Sequence, residues 1–216
     1  MVASAKPAPL FLGLREDQVR VLSDHAVAKA FPKNAIIINE GDATDSLYLI
    51  VSGRVKVFLS NENGKEIILT TEGPGEYFGE MVLDEGPRSA SVMTLEPCKF
   101  LVISKAEVQQ FLSKHPDFAM HLVHKLIHRV RVLTENVKSL ALQDVYGRFA
   151  RMLHELATER DGKLVIEEKL TQQDMASRIG ASREMISLII KDLTTGGYVS
   201  VNRKKIVINK KLPLEW

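Results

Sequence analysis

Gly79-Glu80 and, further along, Arg88-Ser89-Ala90 bring a glycine, a carboxylate, a guanidinium and two small residues into one stretch of chain. These types suit a compact anion. Glycine admits close backbone approach, Arg88 offers charge-assisted hydrogen bonds, and the backbone N–H groups of Ser89 and Ala90 are further donors. Glu80, acceptor-only when ionised, suits a hydroxyl. A purely architectural reading stays open beside this one, in which Gly79 makes a turn and Glu80 forms a salt bridge with Arg88.

Other groupings carry less. His121, His124 and His128 share one side of a helical stretch, facing away from its apolar stripe, which reads as a solvated face rather than a metal site. Gly73 to Gly79 misses the dinucleotide-binding fingerprint by one residue, and His154-Glu155 lacks the second histidine of a zinc-protease helix. The single cysteine, Cys98, excludes an internal disulfide and the four-thiolate ligation of an iron–sulfur cluster, and its apolar strand context reads as packing. No nucleophile–base pair or metal-ligand set stands out, so neither catalysis nor a bound metal is expected.

These residues sit in a chain of 216, long enough for one large domain or two modest ones, with 45% hydrophobic and 26% charged residues. Its apolar runs are far too short for a transmembrane helix, and Met1 to Leu14 has no basic region followed by an apolar one, so a cytoplasmic protein without a membrane span is expected. The net charge of +2 is uneven: Lys and Arg exceed Asp and Glu only after residue 142, by 13 to 10. Thr171 to Lys211 carries 8 basic against 3 acidic residues, a balance that attracts a polyanion such as DNA or simply solvates a basic face.

From Ala35 to Ile103 short apolar runs are punctuated by turn signals at Gly41, Ser52-Gly53, Asn61 to Gly64, Gly73 to Gly75 and Gly86-Pro87, as in an antiparallel sandwich or roll. Ile36-Ile38, Leu47-Leu49-Val51, Val55-Val57-Leu59 and Ile67-Leu69 alternate like half-buried strands. Arg15 to Ala28 reads as a short helix before them, and Ser104 to Glu107 has capping-box spacing after them.

The period then changes. Ala119, Val123, Leu126, Val130, Leu133, Val137 and Leu140 recur at alternating intervals of four and three, a heptad seam. Valine at one seam position and leucine at the other favours a parallel two-stranded coil, so the helix over 117–143 predicts a homodimer; a helix packed only within its own chain is the alternative. Asp144 caps a further helix through about Ala157. Thr171 to Asp174 is another capping box, Ile179 ends that helix, Gly180-Ala181-Ser182 turns the chain, and Ser182 caps the next helix. This is a helix-turn-helix pattern. Ile186, Ile190 and Leu193 form its buried stripe, whereas Arg183, Glu184, Ser187, Leu188 and Lys191 lie opposite, where a recognition helix meets base edges. Tyr198 to Val201 and Ile206 to Ile208 flank a hairpin wing that brings Arg203, Lys204 and Lys205 to phosphates.

A glycine-punctuated β segment, one long helix and a basic helix-turn-helix together resemble the cyclic-AMP receptor protein / fumarate-nitrate reductase regulator (CRP/FNR) family, over nearly the whole chain. Tyr77-Phe78-Gly79-Glu80 with Pro87-Arg88-Ser89-Ala90 looks like the family's phosphate-binding cassette, and Ile179 to Glu184 like its recognition element. The resemblance implies an α+β protein: an N-terminal cyclic-nucleotide-binding β-roll over 1–116, a dimerisation helix and hinge over 117–143, and a winged helix-turn-helix over 144–216. It implies a transcription regulator that binds double-stranded DNA as a homodimer, with RNA polymerase as a partner and a cyclic nucleotide, cAMP foremost, as effector. Gly79, Glu80, Arg88, Ser89 and Ala90 would hold the sugar and phosphate, and Arg129, Leu133 and Thr134 would face the nucleotide. Cyclic-AMP receptor proteins usually offer the adenine two adjacent hydroxyls, where this chain has Leu133 and Thr134, which leaves another cyclic nucleotide, including a cyclic dinucleotide, open; a ligand-independent regulator of the same family and a cyclic-nucleotide sensor acting through a protein partner are the rival readings. A second departure is Leu188, where those proteins carry a guanine-reading arginine.

Overall fold

The computed structural model describes residues 21, 22, 24–43, 45–160, 162–168, 170–202 and 205–213. They form two units: the chain up to Leu59 with Leu69–Val130, and Ser60–Ile68 with the chain from Arg131 onward.

Eight strands lie in the first unit or, at the ends of β4 and β5, cross its boundary: β1 (Val27–Phe31), β2 (Ile36–Ile38), β3 (Ser46–Ser52), β4 (Val55–Ser60), β5 (Glu66–Glu72), β6 (Tyr77–Phe78), β7 (Ser91–Thr94) and β8 (Cys98–Ser104). They pair in two four-stranded sheets, ordered β1-β8-β3-β6 and β2-β7-β4-β5. Side chains alternate across a strand, so the first sheet separates two cores. Leu47 and Leu49 of β3, Tyr77 of β6 and Ile103 of β8 face one core. Ile50, Phe78, Phe100 and Val102 from the same strands face the other, inside the roll, with Ile38, Val55 and Val92 of the opposite sheet. Adjacent residues Tyr77 and Phe78 thus fill different cores, and burying such aromatic and aliphatic side chains contributes roughly 1.5–3 kcal/mol each.

The outer core is closed by helices α1 (Lys105–Lys114) and α2 (Pro116–Leu142) through Val108, Phe111, Phe118 and Leu122. Both capping-box bonds at Ser104 and Glu107 are present. Helix α2 has two stripes about a quarter turn apart at 100° per residue. Phe118, Leu122, Lys125 and Arg129 face the sheet, with the first two in the core. The heptad residues from Val123 to Leu140 are exposed, Val130 by 62% and Val137 by 66%.

The second unit carries α3 (Val145–Leu156), capped by Asp144, then β9 (Thr158–Arg160), β10 (Lys163–Ile166), α4 (Gln172–Ile179), α5 (Arg183–Thr195), β11 (Val199–Asn202) and β12 (Lys205–Ile208). Its sheet runs β11-β12-β10-β9, and Tyr146, Phe149, Ile166, Met175, Ile186, Ile189 and Ile206 make its core.

The expected helix over Arg15–Ala28 differs from what is found. Residues 15–20 lie outside the described ones, and helix is present at Val21, Leu22 and Asp24, but Val27 and Ala28 belong to β1, paired with Val102 and Leu101. Cross-strand pairing, invisible in a local window, overrides helix propensity there. The β9–β10 hairpin also escaped the sequence pattern, because β9 is exposed throughout and has no apolar alternation to read.

Candidate functional site

Among the described residues, Arg88 is the most deeply buried charged side chain of the roll. It lies between the short 3-10 turn Glu80–Leu83 and β7, with its backbone tied to Gly41 and Asp42 by hydrogen bonds of 2.8 and 2.9 Å. Only 4% exposed, its guanidinium donates from Nη1 to the Gly79 carbonyl at 2.9 Å and from Nη2 to the Ser46 carbonyl at 2.7 Å. Burial pulls its pKa down, and Tyr48, Asp45, Glu80 and Asp42 act against that. Gly79 makes this packing possible. Its φ is +86°, and a Cβ there would stand 2.9 Å from Arg88 Nη1 and 3.0 Å from the Ser46 carbonyl. A side chain at position 79 would therefore be strained and would push the arginine aside.

Gly79, Glu80, Arg88, Ser89, Ala90 and Arg129 all line one cavity in the roll, with Ile38, Val57, Phe78, Met81 and Val92 as its apolar wall. Leu133 and Thr134 are not among its lining residues; both are exposed positions further along α2. The architectural alternative for Glu80 is not what the fold makes: its carboxylate accepts from Arg129 Nη1, whereas the carboxylate nearest Arg88 is exposed Asp45, at 3.8 Å.

Arg129 also donates from Nη2 to Glu72 at 3.1 Å. One helical turn earlier, Lys125 meets Glu76 and the Tyr77 carbonyl and lies 3.8 Å over the Tyr77 ring. Burial pushes the Glu72 carboxyl above its ordinary value, against the pull of Lys125 and Arg129. Burial also opposes the Arg129 charge, but Glu80 and Glu72 outweigh it and hold that guanidinium above its ordinary value. Sequence reading missed Glu72, Glu76 and Lys125. Acids four apart at 72, 76 and 80 facing cations four apart at 125 and 129 were the available signal. The turn at Gly73 to Gly75, clipped to β3 by Gly75 N–H donating to the Ile50 carbonyl, sets the acids side by side, and the packing of Phe118 and Leu122 brings the cations to them.

In the second unit, Thr171 caps α4, Gly180 turns the chain at φ +67°, and Ser182 caps α5 by accepting from Met185 N–H at 3.2 Å. Ser182 thus has a local structural duty. Ile186, Ile189 and Leu193 anchor the buried side of α5, with Ile190 half-buried beside them. Arg183, Glu184, Ser187, Leu188 and Lys191 line an open cleft on the other side. Leu188 is 47% exposed and does not pack into the core. Gln172, at the start of α4, joins this cleft and was not foreseen. Lys205 is exposed at the start of β12; Arg203 and Lys204 fall outside the described residues. Among the described residues no group of three or more His, Cys, Asp or Glu could hold a metal, and no helix is long and apolar enough to cross a membrane.

Residues 28–115 match the cyclic nucleotide-binding domain family and residues 147–215 the Crp-like helix-turn-helix domain. The cAMP-activated global transcriptional regulator CRP of Pasteurella multocida is 34% identical over 192 residues, covering 85% of this chain and 90% of the relative. The chain belongs to the CRP/FNR family. A CRP-like cAMP-activated global transcriptional regulator of Mycobacterium tuberculosis is 30% identical over 207 residues, 94% of this chain and 92% of its own. Among solved structures, the c-di-GMP-responsive global regulator CLP of Xanthomonas campestris superposes with a TM-score of 0.78 at 25% identity, over 91% of this chain and 100% of that one. As a CRP/FNR member the chain is a cyclic-nucleotide-binding, DNA-binding transcription regulator of mixed α+β fold, and its relatives are regulators rather than enzymes.

Beneath the cavity of this CRP/FNR protein, Tyr77 is fully buried and its hydroxyl has no hydrogen-bond partner among the described residues. Burial first, then Glu80 and Glu76, hold that hydroxyl protonated well above the ordinary tyrosine value of 10.0. The unfolded chain releases the proton near that ordinary value while the folded chain keeps it, so this contribution is whole below it and lost as pH rises past it. Tyr77→Phe should keep or raise stability at neutral pH, by up to about 1 kcal/mol, and soften the decline above about pH 10. Urea unfolding across pH 7 to about pH 11 checks both.

Proposed function

We propose that the chain is a cyclic-nucleotide-responsive transcription regulator acting as a homodimer on a two-fold symmetric operator, with cAMP as effector. Arg88 carries the reading: a buried guanidinium, held by two carbonyls, lines the same cavity as Gly79, Glu80, Ser89, Ala90 and Arg129. A cyclic phosphate supplies the anion such a group attracts, Ser89 and Ala90 supply N–H donors, and Glu80 takes a ribose hydroxyl. Leu133 and Thr134 are the base-side residues of this reading. The names of the Pasteurella and Mycobacterium relatives support cAMP. A cyclic dinucleotide is the second reading, favoured by Leu133 in place of a hydroxyl and by the likeness to the Xanthomonas regulator.

In this reading residues 1–116 are the sensor, 117–143 the dimerisation helix and hinge, and 144–216 the DNA-binding domain of a cytoplasmic protein that works with RNA polymerase. The exposed valines and leucines of α2 support a two-stranded seam, since an apolar stripe of this kind is stable in water only when covered. Effector binding sets the two α5 helices one DNA turn apart, about 34 Å, to enter successive major grooves. Arg183 reads guanine, Glu184 a cytosine amino group, Leu188 a thymine methyl, and Ser187 and Lys191 bond bases or phosphates. Ser182, which also orders the helix start, contacts the DNA together with Arg203, Lys204 and Lys205, which meet its backbone.

Fluorescence anisotropy with operator DNA, with and without cAMP, cGMP or c-di-GMP, tests the response. DNA binding that needs cAMP is expected; binding indifferent to every nucleotide would mark a ligand-independent regulator. Arg88→Ala should weaken cAMP binding roughly 10- to 100-fold in a folded protein, measured by calorimetry, and unchanged affinity would remove Arg88 from the phosphate site.

Val130→Lys should shift the protein toward monomer in sedimentation, because an unpartnered ammonium opposes an apolar seam. For specificity, binding-site selection from random DNA should return a half-site with the guanine read by Arg183 and no second guanine at the family spacing. Leu188→Arg should create that second preference, worth about 1–3 kcal/mol.

A further inference from the structure

Glu72 lies outside the anion-binding cassette and does not line the cavity, yet it determines what one cavity residue can do. It ends β5 with its side chain 12% exposed and accepts from Arg129 Nη2 at 3.1 Å, while Arg129 Nη1 engages Glu80. Both terminal nitrogens of Arg129 are committed to carboxylates. Lys125 is similarly engaged by Glu76 and the Tyr77 carbonyl. On this side of the cavity two cations therefore face three carboxylates, Glu72, Glu76 and Glu80. The opposite side differs: Arg88 is held by neutral carbonyls, and the carboxylate nearest it, Asp45, is 83% exposed and 3.8 Å away.

An anion entering the cavity thus finds one guanidinium whose charge is not already neutralised, that of Arg88. A second negative charge on the ligand could reach Arg129 only by expelling a carboxylate from it, and a partly buried carboxylate stripped of its partner is strongly disfavoured. We propose that Glu72 is a specificity determinant that restricts the cavity to ligands with a single negative charge. It is a positioning residue, acting through Arg129 without touching the ligand. This rests on the nucleotide-binding reading above, and within it selects a cyclic mononucleotide over a cyclic dinucleotide.

Titration calorimetry on the full chain, with adenosine, cAMP, 5′-AMP and c-di-GMP as probes, tests this on a ladder of ligand charge. In Glu72→Gln, affinity for 5′-AMP and c-di-GMP should rise roughly tenfold relative to cAMP, while adenosine is unaffected. Glu72→Asp, which keeps the charge, should restore the parent order, and adding Arg129→Gln to Glu72→Gln should abolish the gain. Circular dichroism verifies folding, and Glu72→Met carries the same comparison if Glu72→Gln unfolds. A folded Glu72 variant with the parent's ratios, or a gain that survives Arg129→Gln, overturns the role of Glu72 alone. A parent chain that binds no nucleotide probe overturns the nucleotide reading and this inference with it.

Discussion

Arg129 joins three parts of the first unit through one guanidinium. It projects from α2, meets Glu72 at the end of β5 and Glu80 on the turn after β6, and lines the cavity. Partly buried charges such as these are costly unless paired, so the helix, the strand end and the turn must arrive together. The apolar contacts of Phe118 and Leu122 carry α2 to the sheet, and the pairs at Lys125 and Arg129 then set which rotation of the helix is accepted. Apolar burial is non-directional, whereas a guanidinium fork between two carboxylates is not.

Arg88 follows a different logic on the other side of the same cavity. Its partners are backbone carbonyls, whose positions are set by the ladder of β3 and by the left-handed turn at Gly79 rather than by mobile side chains. A charge held this way is preorganised and yet not neutralised. One arginine is thus locked between carboxylates while the other bonds only neutral carbonyls, although by residue type the two are interchangeable.

Periodicity made the strands of the roll, the long helix and the helix-turn-helix legible, because each buries one face at its own repeat. Capping chemistry located helix starts at Ser104, Asp144, Thr171 and Ser182, where the side chains do accept the expected backbone N–H bonds. Gly79, Glu80, Arg88, Ser89 and Ala90 were readable as a group because they are close in sequence, and the fold brings them to one cavity. What escaped was non-local. Strand β1 exists because β8 lies beside it, and the partner of Glu80 is 49 residues away in sequence. Ile189 is fully buried and Ile190 only half-buried, the reverse of the expected stripe, because neighbouring isoleucines on a helix differ by only 100° and the sequence period alone does not separate them.

The two stripes of α2 impose a rule on how this helix can change in length. The charged stripe ends at Arg129 and the heptad stripe continues to Leu140, so their angular offset is stored in the count of residues between them. Inserting or deleting one residue after Arg129 would swing every later seam position by about 100° and break the stripe into two misaligned halves. A change of seven residues turns the later half by only about 20°, a drift that slight supercoiling absorbs. Among homologous chains with the same two stripes, this segment should keep its apolar positions and change length only by steps that restore the phase, such as seven or eleven residues, so its length is a phase marker rather than a spacer.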